Sequence, residues 1–178
     1  NSLLKFIEEP TGETYGILIS EHKENLLSTI ISRSMVINFR ELDKKFLKEQ
    51  LKSKEISPLM LNSLCYLTSN LDEAIELSTD ESFVKVCSIF ERFVSDLKDR
   101  KSVSLFYKAN LETLGNKEKL KLFLRLLEAF FRDLYEYRVL NNVLVFDSLI
   151  DDIKTISNHY DKDDLLKYLF EILELIKK

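Results

Sequence analysis

The chain has 178 residues, of which 45% are hydrophobic and 31% are charged, and its formal net charge is −4. A chain of this length and apolar fraction can bury the core of one ordinary domain or of a few small ones. Only three Gly and two Pro are present, which favours helices over sheets. The slightly acidic balance excludes a global positive field that would attract nucleic acid, although a local basic patch remains compatible with it.

The sequence predicts no membrane-spanning segment and no signal peptide. Every long apolar run is interrupted by charge well short of the roughly 20 residues that a transmembrane helix requires. The pattern is already helical at residue 1, and we therefore expect the chain to be a fragment of a longer protein.

The first part of the chain predicts the edge of an α/β sheet. Residues 1–9 have helical spacing, and Pro10 ends that run. The continuous apolar run YGILIS at 15–20 predicts a buried parallel strand. Residues 24–31 predict a short helix, and the β-branched segment MVINF at 35–39 predicts a second strand. A strand, a helix and a strand in about 25 residues make the edge of a sheet and not a complete domain.

A small bundle of three short helices is predicted for residues 41–80. Its second helix should open with Ser57 as N-cap and Pro58 as the first helical residue. Its third helix should start after Ser69 or Asn70, since either side chain can cap a helix N-terminus.

Five longer helices are predicted for residues 81–178. Their expected ranges are 82–98, 102–113, 117–139, 146–158 and 162–176. The third has an apolar stripe at helical spacing, formed by Leu120, Phe123, Leu124, Leu127, Phe130, Phe131 and Leu134. A second apolar side is formed by Leu122, Leu126 and Ala129. Its solvated face is expected to consist of Lys121, Arg125, Glu128 and Arg132. A helix that is apolar on two sides should lie at the centre of its bundle or be shared with a neighbouring subunit.

Most of the candidate chemical groups have a structural explanation. Cys65 and Cys87 lack the spacing of a zinc site, so we expect two buried, reduced thiols. The run DKDD at 161–164 fits a helix N-terminus, with its first Asp as N-cap, better than a cation site. His22 and His159 have no Ser or Cys motif that would recruit them as a base. There is no Gly-rich phosphate loop, and we expect neither a metal nor a cofactor.

Arg33 is the remaining candidate, because it lies between Ser32 and Ser34 where the helical pattern changes to the second strand pattern. Its guanidinium stays charged at any working pH and can pair with phosphate oxygens or with a carboxylate. Taken alone, this position favours a structural salt bridge over a functional contact.

Four segments of the sequence resemble the AAA+ subunits of bacterial clamp loaders. NSLLKFIEEP at 1–10 resembles the Asn-Ala-Leu-Leu-Lys-x-Leu-Glu-Glu-Pro-Pro stretch that follows the Walker B strand in this family. ILIS at 17–20 followed by LLSTIISRS at 26–34 resembles its sensor 1 strand and its Ser-Arg-Cys motif. SNLDEAIELS at 69–78 falls where the sensor 2 helix of the family's lid should start, and FFRDLYEYRV at 130–139 resembles a collar helix.

The resemblance implies three parts and assigns each a name. Residues 1–40 would be the C-terminal edge of the AAA+ core, 41–80 a helical lid and 81–178 a helical collar through which subunits oligomerise. The fold class is therefore expected to be mainly α with a short α/β edge.

Several departures from the family pattern bear on activity. Thr11 replaces the second Pro, and Ser34 replaces the Cys of the motif. Sensor 1 would fall at Ser20 or Glu21, and these alternatives stay open. Asp72 lies where ATP-hydrolysing members carry the sensor 2 Arg, and an acidic group there would repel the γ-phosphate. The resemblance therefore implies a subunit that does not hydrolyse ATP, within a DNA polymerase holoenzyme.

In that setting Arg33, with Ser32 and Ser34, would be an arginine finger presented in trans to ATP on a neighbouring motor subunit. The implied partners are the gamma/tau and delta subunits of a five-membered cytoplasmic ring, and through the ring a sliding clamp and primed DNA. One alternative is a fragment of the gamma/tau ATPase itself, which Asp72 disfavours. Another is a helical scaffold unrelated to replication, which leaves the strand patterns and the Ser-Arg pair unexplained.

Overall fold

The computed structural model describes residues 12, 15–20, 22–38, 44–52 and 54–177. Contacts divide the chain into two compact units, Asn1–Arg40 and Glu41–Lys178, and each unit is described by itself. The mainly α-helical class predicted from the sequence is confirmed, since all of the regular secondary structure among these described residues is helical.

The described part of the first unit contains one turn of 3-10 helix, Lys23–Asn25, and the short helix α1, Ser28–Ile31. Residues 15–20 and 35–38 have no regular secondary structure, so the two predicted strands are not present there. Their side chains are largely exposed: Ile17 is 90% exposed. A strand depends on backbone hydrogen bonds to a neighbouring strand, and apolar β-branched sequence does not supply that partner. The predicted helix at 1–9 lies outside the described residues.

All of the regular secondary structure in the described part of the second unit is helical. Its helices are α2 (Lys44–Lys52), α3 (Pro58–Leu67), α4 (Leu71–Thr79), α5 (Glu81–Lys98), α6 (Val103–Ala109), α7 (Leu111–Leu114), α8 (Lys117–Leu140), α9 (Ile150–Ser157) and α10 (Lys162–Ile176). A turn of 3-10 helix, Asp147–Leu149, precedes α9. Within the described residues no helix is long and apolar enough to cross a membrane.

The helix starts follow the predicted capping chemistry. The Ser57 hydroxyl accepts the N–H of Met60 at 3.3 Å, and Pro58 opens α3. Asn70, and not Ser69, caps α4: its Oδ1 accepts the N–H of Asp72 at 2.9 Å. Each of these bonds satisfies a backbone donor that a helix N-terminus leaves without a partner.

One predicted helix, 102–113, is divided at Asn110 into α6 and α7. The Asn110 side chain donates to the carbonyl of Phe106 at 2.8 Å and accepts a hydrogen bond from Arg92 at 2.9 Å. An Asn whose side chain bonds to the preceding turn competes with the regular helical ladder, and the helix breaks there.

Helix α8 lies at the centre of the second unit, packed against α5, α7, α9 and α10. The core around it is rich in aromatic rings. Phe90 is fully buried, and its ring centroid lies 5.2 Å from that of Phe146 and 5.8 Å from that of Phe130. Leu126 and Ala129, on the second apolar side, are also fully buried. Of the two alternatives predicted for a doubly apolar helix, a central position in its own bundle is the one found for α8.

A buried carboxylate holds the segment that follows α8. Asp133 is 0% exposed, and its carboxylate accepts the N–H groups of Leu144 at 2.8 Å, Val145 at 3.2 Å and Phe146 at 2.7 Å. These bonds fix the backbone that carries the Phe146 ring into the core. Burial raises the pKa of Asp133, although the three N–H donors oppose that shift.

The predicted solvated face of α8 is wrong at Glu128, which is only 4% exposed. Its carboxylate accepts hydrogen bonds from the Tyr66 hydroxyl of α3 and from the Arg132 guanidinium one turn later. The position is covered because the Tyr66 side chain, which is distant in sequence, reaches it from α3. Burial, followed by the bond to Glu128, raises the pKa of Tyr66 to about 12.

A second polar contact joins α2 and α3 to the turn of 3-10 helix that precedes α9. Lys48 of α2 pairs with Asp147 at 2.7 Å, and Asn62 of α3 donates to the other Asp147 oxygen at 2.7 Å and to Ser148 at 2.9 Å. Helices α2 to α4 and helices α5 to α10 therefore share polar contacts as well as one apolar core.

Candidate functional site

Arg33 follows directly after α1, in a turn at the surface of the first unit. Its Nη1 donates to the carbonyl oxygen of Thr29 at 3.2 Å, so the side chain folds back along the helix that precedes it. The residue is exposed, and so is this hydrogen bond. An exposed bond to a neutral carbonyl is weak compared with a bidentate contact to phosphate, so a phosphate could take this donor from Thr29.

Ser32 and Ser34 make similar contacts on either side of Arg33. The Ser32 hydroxyl donates to the same Thr29 carbonyl at 3.2 Å, and the Ser34 hydroxyl donates to the carbonyl of Ile30 at 2.8 Å. Three consecutive side chains thus donate to backbone carbonyls of α1, those of Thr29 and Ile30. The positive guanidinium also lies next to the negative end of those carbonyl dipoles. The predicted Ser-Arg-Ser motif is therefore one local structure that fixes where the arginine leaves the backbone.

Ser20, one of the two sensor 1 candidates, lies in a local turn. Its hydroxyl donates to the His22 carbonyl at 3.0 Å and accepts the His22 N–H at 3.3 Å. The other candidate, Glu21, lies outside the described residues. The hydroxyl at position 20 has local backbone partners and is exposed.

Asp72 lies in the second unit, in the first turn of α4, where it is exposed. A carboxylate at a helix N-terminus is favourable, because the unpaired N–H groups there carry partial positive charge. This accounts for an acidic residue at the position without reference to ATP. The function assigned to it from the sequence stays a prediction.

The remaining candidate residues from the sequence lie where a structural role accounts for them. Cys65 and Cys87 are buried and free, as predicted. Burial raises the pKa of both thiols, to about 12 for Cys87. Asp161 occupies the N-cap position of α10 without a side-chain hydrogen bond to that helix. Among the described residues no group of three or more His, Cys, Asp or Glu side chains is arranged to hold a metal ion.

One surface feature of the second unit is absent from the sequence-based predictions. A groove of about 1190 Å³ lies beside the N-terminal half of α8, lined by residues of α6, α8 and α10. The apolar stripe of α8 was the available signal, since Leu120, Leu124 and Leu127 line this groove. Periodicity shows that such residues share a helix face, but it does not show whether another helix covers them.

Similarity to known proteins extends over both units. Residues 1–43 match the protein family described as DNA polymerase III, delta subunit. The whole chain is 30% identical, over 181 residues, to DNA polymerase III subunit delta' of Bacillus subtilis (strain 168). That alignment covers 100% of this chain and 55% of the relative, so the chain spans about half of the relative's length. No solved structure matches the chain.

These matches relate the chain to subunits of DNA polymerase III. Within that class the relationship is to the delta prime (delta') subunit, because the similarity to it runs along the whole chain. The resemblance predicted from the sequence is thereby confirmed.

Proposed function

We propose that the chain belongs to a non-catalytic delta prime subunit of the bacterial clamp loader, which helps place the sliding clamp on primed DNA during replication. The support is its similarity to the delta' subunit over the full chain. The partners would be the gamma/tau and delta subunits of the ring, with residues 41–80 as the lid and 81–178 as the collar through which the ring assembles.

The proposed chemical contribution is an arginine finger at Arg33. The observation that carries it is the position of Arg33: it is exposed at the end of α1, between Ser32 and Ser34, within the segment that matches the family. In this role the Arg33 guanidinium would give up its hydrogen bond to the Thr29 carbonyl and would donate instead to the γ-phosphate of ATP bound to the adjacent motor subunit. A planar guanidinium can donate two parallel hydrogen bonds to phosphate oxygens and so supplies direction as well as charge.

The energetic value of such a finger is large at the ATP site that it serves. In GTPases an arginine of this kind contributes a factor of about 10³ to 10⁵ in rate. Its bond to the Thr29 carbonyl is exposed and uncharged on the acceptor side, and a bond of that kind contributes only about 1 kcal/mol. A charge-assisted bidentate contact to the γ-phosphate would be stronger than that bond.

Asp72 supports the non-catalytic part of this proposal. A carboxylate at the sensor 2 position would repel the γ-phosphate, whereas an arginine there would attract it. We therefore expect the delta prime protein alone to hydrolyse no ATP, and turnover comparable to that of the motor subunit would point to a gamma/tau-type ATPase instead.

The experiment is a reconstitution of the clamp loader with the complete subunit carrying Arg33→Ala or Arg33→Lys. Both variants should lower ATP hydrolysis and clamp loading by the ring, because a single ammonium group cannot replace the bidentate fork. The unfolding temperature of the purified subunit should change by less than about 4 °C, since a surface ion pair contributes about 0–1 kcal/mol. Arg138→Ala is the matched control for the unfolding measurement, because Arg138 is also exposed and, in the described part of the chain, makes one hydrogen bond of 3.5 Å, to Asn158.

A structural salt bridge at Arg33 predicts the opposite pattern. Arg33→Ala would then lower the unfolding temperature of the subunit, while the assembled ring would hydrolyse ATP and load clamps at the unmodified rate. That result would refute the arginine finger.

A further inference from the structure

The groove beside α8 is apolar at its base and open to solvent at its rim. Its base includes Phe93, Phe106, Phe123 and Phe131. At the rim, Val103 is 54% exposed and Leu175 is 53% exposed. Its volume of about 1190 Å³ exceeds the range of roughly 300–1,000 Å³ that is usual for small-molecule sites. A groove of this size that is open to solvent and lined by apolar side chains has room for part of another macromolecule.

The length of the groove fits a helix. Along α8 its lining extends from Lys117 to Phe131. These positions are 14 residues apart, which corresponds to about 21 Å at 1.5 Å per residue. A partner helix of about 14 residues would cover that distance, and helix-in-groove recognition uses apolar residues at i, i+3, i+4 and i+7.

The charges around the groove select among such helices. Four lysines line it, against a single carboxylate, Glu171. Lys177 is paired with Glu174 at 2.8 Å. Lys108, Lys117 and Lys121 have no carboxylate within 4 Å in the described part of the chain. Lys117 and Lys121 are one turn apart on α8 and so present their charges on the same side of the helix.

We propose that this groove binds an amphipathic helix of a partner protein whose apolar face is flanked by Asp and Glu. The apolar face would fill the base of the groove, and the acidic flank would lie against Lys108, Lys117 and Lys121. The complementary charges orient the helix and favour acidic over basic partners. The groove lies within residues 81–178, the proposed collar, but helix binding there does not depend on Arg33, so a failure of peptide binding would leave the arginine finger standing.

The test is a selection of helical peptides of about 16 residues, displayed as a library, on the purified chain. Enriched peptides should share the apolar i, i+3, i+4, i+7 pattern and carry Asp or Glu beside it. One enriched peptide, synthesised with a fluorescent label, is then titrated by fluorescence anisotropy. Its affinity should fall as NaCl is raised, because screening weakens contacts between exposed charges.

Two substitutions in the groove have matched controls elsewhere on the same unit. Leu175→Glu and Lys121→Glu should each weaken binding by about tenfold or more, a loss typical of buried apolar and charge contacts in an interface. Leu144→Glu and Lys154→Glu should change affinity by less than about twofold, since surface positions outside an interface contribute little. Leu144 is 54% exposed, compared with 53% for Leu175. Circular dichroism should show the same helical content for each variant as for the unmodified chain.

Three outcomes would overturn the proposal. The selection could enrich no peptide above a library background. Enriched peptides could be basic, or could bind Leu175→Glu and Lys121→Glu as tightly as the unmodified chain. A fatty acid such as oleate could bind the groove while no peptide does, which would identify a lipid pocket instead of a helix-binding surface.

Discussion

Asp133→Ala should be among the most destabilising single substitutions of a charged residue in the second unit. The substitution removes the acceptor of three backbone N–H groups, those of Leu144, Val145 and Phe146. An intramolecular hydrogen bond contributes about 1 kcal/mol net, so the three together contribute about 3 kcal/mol. The N–H of Phe146 is fully buried in this contact, and a buried donor left without an acceptor retains its full desolvation cost.

Asp133→Asn removes the negative charge of this side chain but nearly keeps its shape. Oδ1 alone accepts from Leu144, Oδ2 alone accepts from Phe146, and Val145 contacts both oxygens. An Asn keeps one oxygen, so it preserves one end of this arrangement and sets an NH₂ donor against an N–H at the other. We expect a loss of about 1–2 kcal/mol, which is smaller than for Ala.

The measurement is urea unfolding followed by circular dichroism, with linear extrapolation of the unfolding free energy to water. Asp164→Ala is the control: Asp164 is exposed in the first turn of α10, where a carboxylate contributes less than about 1 kcal/mol. If Asp133→Ala and Asp164→Ala lower the unfolding free energy equally, the three N–H bonds do not hold this segment in place.

The same residue predicts a pH dependence with a defined sign. Burial raises the pKa of Asp133 above its ordinary value of 3.8, so between 3.8 and the raised value the folded state holds a proton that the unfolded state has lost. Stability from this group therefore falls as the pH rises through that window. The advantage of the unmodified chain over Asp133→Asn should accordingly be larger below the window than above it. An advantage that grows with pH would contradict the raised pKa.

Three further predictions concern the packing of the second unit. Phe90→Ala should lower the unfolding free energy by about 3–5 kcal/mol in urea, because it leaves a cavity at a fully buried ring. Gly115→Ala should cost about 1–3 kcal/mol in the same assay, since an added Cβ would lie 2.7 Å from the Leu111 carbonyl oxygen and force the backbone to shift. At pH 8, iodoacetamide should label Cys87 only after unfolding, as read out by mass spectrometry. Burial raises the pKa of this thiol to about 12, which leaves a thiolate fraction of about 10⁻⁴. Rapid labelling of the folded chain would show instead that the thiol is accessible.

The helices of the second unit were predictable because their signals are local. The N-caps Ser57 and Asn70 bond to backbone groups within three residues, so the sequence around each start contains the whole interaction. The composition of α8 predicted that both of its apolar sides would be covered, but it left open whether helices of the same bundle or a neighbouring subunit would cover them. Local chemistry of this kind does not depend on knowing the fold.

The polar core could not be predicted, because each of its contacts joins distant parts of the chain. Glu128 has the spacing of a solvent-facing residue on α8. In the fold its carboxylate is covered by the side chain of Tyr66, a residue 62 positions earlier in the sequence. In the sequence, nothing distinguishes Asp133 from the other charged residues of FFRDLYEYRV. Its burial depends on the backbone of residues 144–146, which donates to its carboxylate in the fold. At Arg33 the motif was recognisable, but its hydrogen bond to Thr29, which turns the side chain back along α1, was not.

The contacts between α3 and α8 restrict how the second unit can work in the proposed ring. Moving α2 to α4 away from α5 to α10 would separate Tyr66 from Glu128 and Lys48 from Asp147, and would open a common apolar core. Such a movement would cost both polar contacts and the burial of the shared apolar surface. In the proposed ring, moving residues 41–80 alone would require that free energy. We therefore expect the segments proposed as lid and collar to move together, as parts of the one compact unit Glu41–Lys178.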